Sequence, residues 1–238
     1  MPKILRRAWF VLAGLALLAV SIVWAFPITD KPFEKWTLDE AVQILNESPW
    51  ARQETFTQVI GGIGSGVRGE KEIYNTFFVR LLSARPIREG YARVKQIQGD
   101  YDKLSQEEKR RFNTSLRPIL ELDVEGWIVV AVCFRSNDPD LESRVRRFWQ
   151  VQTTETMRNR AFLSTQSFPQ VQVVAYYPPL EEGIGAKFVF PREIEGTAVV
   201  SVKDDKVTFE LLEVPGADPQ LRATFVVSDM VVKGRLIL

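Results

Sequence analysis

The spacing of apolar and polar residues divides this chain into a mixed helix and strand body followed by a region of strands alone. Thr37, with Glu40 three residues on, forms a capping box, and Leu38, Ala41, Val42 and Leu45 then recur at helical spacing. This predicts a helix over 38–47, ended by Ser48-Pro49, because the residue before a proline is driven out of the helical region. Residues 72–83, rich in aromatic and β-branched side chains, predict a strand. Pro86 opens a helix to about Gln98, and a second capping box, Ser105 with Glu108, starts one that stops before Pro118. The unbroken apolar run 127–134 predicts a central strand covered on both faces. Residues 140–163 predict a helix with Leu141, Val145, Phe148 and Gln152 along one side, and 171–177 predict another strand.

Pro178-Pro179 and the Gly183-Ile184-Gly185 stretch break this pattern. Strands are then predicted over 187–190, 197–202, 206–212, 222–227 and 231–238, with turn signals at Asp204-Asp205, 215–219 and Ser228-Asp229. Short strands with short connections imply an antiparallel β-meander. The 54 residues from Gly185 onward are marginal for an independent core, so the meander is expected to pack on the preceding sheet or extend it. In the strand 206–212, Val207, Phe209 and Leu211 share one face. The fold class is therefore α+β, with a body over 28–178 and the meander over 185–238.

Residues 1–27 stand apart. Lys3, Arg6 and Arg7 precede 19 uncharged residues, 8–26, in which Ser21 is the one polar side chain besides two tryptophan N–H groups. A basic flank followed by such a run is an export signal. Small residues that suit cleavage occur at Val23-Trp24-Ala25 and at Ala19-Val20-Ser21. Uncleaved, the run would form a helix of about 28 Å, enough to cross a hydrocarbon core of about 30 Å. Cleaved signal and membrane anchor both remain open. Both place the body outside the cytoplasm, since the positive charge precedes the run and the flank after it is neutral.

Composition narrows the chemistry. The 238 residues are 45% hydrophobic and 26% charged, with 31 Lys plus Arg against 30 Asp plus Glu. These values suit a folded chain and suggest no bulk polyanion partner. Histidine is absent, which removes His-based nucleophile systems, imidazole metal sites and His general bases. The single cysteine, Cys133, excludes intrachain disulfides and thiolate clusters. Leaving out the cations of residues 1–27 gives the remainder a net charge of −2.

The candidate motifs are sparse. Gly64, Gly66 and Gly69 satisfy G-x-G-x-x-G, but the following segment reads as a strand, and a phosphate loop needs a helix there. Glu181-Glu182, Glu193 with Glu195, and Asp204-Asp205 sit at predicted turns, where acids are ordinarily solvated. No Ser-x-x-Lys occurs, and Cys133 reads as a small core residue. Between Arg80 and Arg117, ten cations face five acids, the largest charge asymmetry in the chain. Such a face suits an anionic lipid surface or an acidic partner, and solvated helix exteriors produce the same count. Lys109, Arg110 and Arg111 are the leading basic residues of this candidate face. Trp50, in Ser48-Pro49-Trp50-Ala51-Arg52, belongs to no periodic face, so it is either an exposed anchor for a partner or the closing residue of a core edge.

The segment Leu38-x-x-Ala41-x-x-Ile44-Leu45-x-x-Ser48-Pro49-Trp50-Ala51 resembles a stretch of uncharacterised exported bacterial proteins, as do 225–238 and the Phe188-Val189-Phe190-Pro191 strand end. The resemblance touches about a third of the chain. It implies bacterial export and a shared architecture, and it brings no catalytic residue. The resulting expectation is a non-catalytic interaction or structural protein of the cell envelope, in contact with an envelope protein, with the membrane through residues 8–26 if uncleaved, and with no nucleic acid. No cofactor and no metal are expected. The alternatives are an extracytoplasmic hydrolase using carboxylates or lysine, and a protein that binds a small ligand or anionic lipid.

Overall fold

A computed structural model describes residues 31–60, 71–180 and 184–238. The expected signal or anchor, the Gly61 to Gly69 motif and Glu181-Glu182 lie outside the described residues. Among the described residues no helix is long and apolar enough to cross a membrane.

The fold is α+β, as its sequence patterning predicts. Helix α1, Leu38–Glu47, begins at the Thr37–Glu40 capping box, in which Thr37 Oγ1 accepts from Glu40 N–H and the Glu40 carboxylate accepts from Thr37 N–H. Strand β1, Ala51–Ile60, and strand β2, Lys71–Leu81, form a long hairpin. Helices α2, Arg85–Gln98, and α3, Gln106–Leu120, lead to strand β3, Trp127–Ser136. Next come α4, Pro139–Val151, and the short α5, Thr154–Arg158. The remaining strands are β4 (Ala161–Ser164), β5 (Val171–Gln172), β6 (Ala175–Tyr177), β7 (Ala186–Pro191), β8 (Glu193–Ile194), β9 (Thr197–Ala198), β10 (Lys206–Leu212), β11 (Gln220–Val226), β12 (Val231–Val232) and β13 (Arg235–Leu236).

Two antiparallel sheets carry the core. The first has the order β1-β2-β3-β7-β6 and the second β11-β10-β4-β5. The apolar run 127–134 becomes the middle strand of the first, with β2 on one side and β7 on the other. Phe77, Val79 and Leu81 on β2 alternate inward and lie beside Phe134, Val132 and Val130 on β3. The second sheet answers with Val207, Phe209 and Leu211 on β10 and Leu221, Ala223 and Phe225 on β11, all buried. The sheets meet through aromatic rings, Phe209 lying 5.3 Å from Phe188 and 6.2 Å from Phe190 between centroids. Ring contacts at these distances add to area burial.

The carboxyl-terminal strands extend what precedes them. Strand β7 enters the first sheet between β3 and β6, while β10 and β11 form an antiparallel hairpin that pairs with β4. The stretch 171–177 is divided: Val171 pairs with Leu163 in one sheet and Tyr176 with Phe188 in the other. Residues 140–163 are corrected from one helix to two helices and a strand. Gln152 adopts extended backbone, Thr153 caps α5 anew, and buried Ala161, Phe162 and Leu163 pair with their neighbouring strands, Ala161 and Leu163 opposite Leu211 and Phe209 of β10. Trp149, rather than Phe148, is fully inward on α4, where its carbonyl accepts from the Tyr176 hydroxyl at 2.8 Å. Burial raises the Tyr176 hydroxyl well above its ordinary range, so it donates at any physiological pH. Tyr176→Phe should cost about 1–2 kcal/mol in denaturant unfolding, from the carbonyl left without its donor.

Helix α3 passes through Pro118 to Leu120, three residues beyond the expected stop. A proline in the last turn removes a single backbone bond. Helix α2 crosses α1 at Gly90, where an added Cβ would sit 3.2 Å from Ile44 Cγ2 and 3.3 Å from Ala41 O, so the close approach suits glycine.

Candidate interaction surface

The residues expected to meet a partner separate into structural and exposed groups. Trp50 is 2% exposed. Its indole Nε1–H donates to Ile237 O at 2.7 Å, which corrects the exposed-anchor alternative: Trp50 closes the core and ties the start of β1 to the last residues of the chain.

The basic face between Arg80 and Arg117 is largely absorbed by the fold. Arg80 donates to Leu45 O at 2.6 Å and to Asn46 Oδ1 at 2.9 Å, Arg88 donates to Leu122 O at 2.8 Å, and Arg93 donates to Trp36 O at 2.7 Å. These guanidinium groups pin backbone carbonyls at helix ends and loops. Burial lowers the pKa of Arg80 and Arg88. Arg85 pairs with Glu89, Lys103 with Asp100, Arg111 with Glu107 and Arg117 with Glu121, mostly as neighbours one helical turn apart. Lys109 lies over the Tyr101 ring at 5.5 Å and donates to Asp102 O at 3.2 Å, whereas Arg110 projects to solvent. Of Lys109, Arg110 and Arg111, one cation is therefore stacked, one exposed and one paired. Exposed pairs of this kind hold little energy and leave little uncompensated field.

Cys133 is half-exposed rather than a core residue. It lines a cleft of about 420 Å³ between β3 and α4, with Arg135, Glu142, Arg146, Trp149 and Leu180 among its walls. Arg135 and Glu142 form an ion pair across it at 3.2 Å. The cleft lies beside the last residues of β3, which pair with β2 beyond the Val132–Ala186 end of the β3–β7 ladder. Gly185 is required at that junction. Its φ is +118°, and an added Cβ would fall 2.2 Å from Val132 O. Gly185→Ala should lower stability by about 1–3 kcal/mol through backbone strain, read as a lowered melting temperature.

Asp204, expected to be solvated at a turn, is buried and accepts from Ser201 N–H at 2.8 Å and Ser201 Oγ at 2.9 Å. It shapes the turn before β10. Glu193 lies on β8, and Glu195 takes the left-handed backbone (φ +51°) of the turn into β9. Among the described residues no group of three or more His, Cys, Asp or Glu is placed to hold a metal ion.

The exposed feature that sequence patterning missed is the outer half of β1. The helix ahead of it and the polar residues Arg52, Gln53 and Glu54 conceal a ten-residue strand. Its first half is tied down: Arg52 Nε–H donates to Thr224 O of β11 at 2.7 Å, and the guanidinium lies 5.1 Å from the Phe225 ring centre. Beyond Thr55 the strand pairs, among the described residues, with β2 alone. Val59 is 54% exposed, Ile60 46% and, across the hairpin, Tyr74 44%. The detectable signal is the run Thr55-Phe56-Thr57-Gln58-Val59-Ile60, six uncharged residues with no proline or glycine and strong strand preference.

Comparison with protein-family models, curated proteins and solved structures found no match to this chain. The functional reading rests on the chain's own chemistry.

Proposed function

We propose that this chain is a non-catalytic interaction or structural protein of the bacterial cell envelope, exported or held to a membrane by residues 8–26, and that it meets its partner through the β1–β2 hairpin. The observation that carries the reading is the outer edge of β1, unpaired among the described residues, with exposed Val59, Ile60 and Tyr74 around it. An open strand edge presents a row of backbone donors and acceptors, and strand addition is a recurrent way of using one. The basic amino-terminal flank with its uncharged run, and the resemblance to exported bacterial proteins, support the location.

A photo-reactive residue at Val59 of the full chain, irradiated in intact bacterial cells, should give protein adducts that the same residue at Arg110 does not. Absence of adducts at Val59 in a folded, expressed protein would overturn the interaction reading. Fusion of residues 1–35 to a reporter active only outside the cytoplasm should give an active reporter, and an inactive one would remove the envelope assignment.

The cleft beside Cys133 favours a second reading, a carrier of a small anionic molecule held by Arg146. Arg146→Ala would then release a compound that the purified wild-type chain retains.

A further inference from the structure

We infer that the partner at β1 is a second copy of this chain, joined by antiparallel pairing of Phe56-Thr57-Gln58-Val59-Ile60 with itself about a two-fold axis at Gln58. This deepens the interaction reading above and rests on it.

The edges of the two sheets differ in how they are protected. In the first sheet the far edge, β6, is three residues long and is followed at once by Pro178-Pro179, which cannot donate to a neighbour. In the second sheet one edge, β5, has two residues, and the other, β11, lies beside the first half of β1 and is bridged to it by Arg52. Among the described residues only the outer half of β1 is both long and bare. Natural edges are blunted by lysine, proline, a bulge or an inward-pointing charge. None of these occurs in Thr55–Ile60, whose pairing with β2 runs one residue to one without interruption. Among the described residues no backbone hydrogen bond other than those of the β1–β2 ladder reaches this segment.

The occupant follows from charge and parity. An acidic or basic peptide would find no charge on the six residues to read. A second copy finds complementarity in every row. In a sheet continued across a two-fold axis, opposed residues must project from the same face, so the two positions of a pair are both odd or both even. With Gln58 on the axis, Phe56 opposes Ile60 on one face and Thr57 opposes Val59 on the other. Aromatic with branched aliphatic and paired β-branched side chains are favourable cross-strand partners. The two Gln58 amides, each carrying donors and an acceptor, satisfy one another. Moving the axis to Thr57 instead sets the Glu54 carboxylate opposite Ile60. Phe56 also connects the seam to the core, its ring lying edge-on to Phe77 at 5.9 Å. The result is one continuous sheet running through both copies, an isologous arrangement that closes on itself and leaves β1 no edge to propagate.

The test uses the full chain in mild detergent. In a Cys133→Ser background, Gln58→Cys should form an intermolecular disulfide on mild oxidation, because opposed Cα atoms in an antiparallel pair lie roughly 4.5–5.5 Å apart, within disulfide reach. Val202→Cys, also exposed but on the turn before β10, should react at least ten times more slowly. Gln58→Lys sets two ammonium groups against each other on the axis and should shift the wild-type dimer to monomer in sedimentation, with an unchanged circular dichroism spectrum. A monomeric wild-type chain, together with a Gln58→Cys variant that crosslinks no faster than Val202→Cys, overturns the proposal. So does a dimer that survives Gln58→Lys, since the copies then meet elsewhere. Adducts at Val59 that contain only a different envelope protein would keep the interaction reading and remove the second copy.

Discussion

Phe209→Asp is expected to abolish cooperative folding. Phe209 is fully buried on β10, in the layer where the two sheets meet, with Phe188 and Phe190 against its ring. Removing the ring costs about 3–5 kcal/mol in burial and cavity. The carboxylate must then either stay charged in an apolar layer or take up a proton there, and both routes add several kcal/mol. Together they approach the whole stability of an ordinary domain, about 5–15 kcal/mol. Thermal unfolding followed by circular dichroism should show no sigmoidal transition, whereas Phe209→Leu should keep one at a lowered temperature. A Phe209→Asp protein that melts within a few degrees of the wild type would mean that β10 presents its other face.

Trp50→Ala is expected to cost about 3–5 kcal/mol for the lost indole, and roughly 1–3 kcal/mol more for the Ile237 carbonyl left without its donor. Trp50→Phe separates the two, keeping most of the ring volume and losing the N–H bond. Equilibrium denaturation should therefore rank wild type above Trp50→Phe and Trp50→Ala last. Unchanged stability of Trp50→Ala would return this residue to the surface.

Local signals were the most legible part of this fold. Both anticipated capping boxes form, because their hydrogen bonds depend on residues three apart and on nothing distant. The run 127–134 announces a central strand because both faces are apolar, and the bounds of β10, 206–212, follow from turn signals at either end. What failed depended on distant partners. Ala161 to Leu163 continue a helical pattern by spacing, yet Phe209 and Leu211 recruit them into a sheet. β1 hides because its pairing is supplied by β2 and its last four residues, 57–60, are exposed on both faces, so alternation there has nothing to mark.

The candidate surface was legible in count and misleading in meaning. Ten cations between Arg80 and Arg117 look like a face when only sequence is weighed. Three of them point inward to carbonyls at Leu45, Leu122 and Trp36, and four more have carboxylate partners a helical turn or less away. Burial of an arginine follows from tertiary packing, and no local pattern reports it.

The bond from Trp50 to Ile237 spans 187 positions, and Arg192 also donates to Leu238 O at 3.0 Å. Order of synthesis therefore matters. A nascent chain that has emerged only as far as β10 has already exposed Phe209, yet it lacks β11 to flank that strand and Ile237 to cap the indole. Loops that long close slowly, because chain entropy is lost before any contact repays it. Until the segment from β11 to Leu238 is delivered, neither the Trp50 nor the Arg192 bond to the chain's last carbonyls can form.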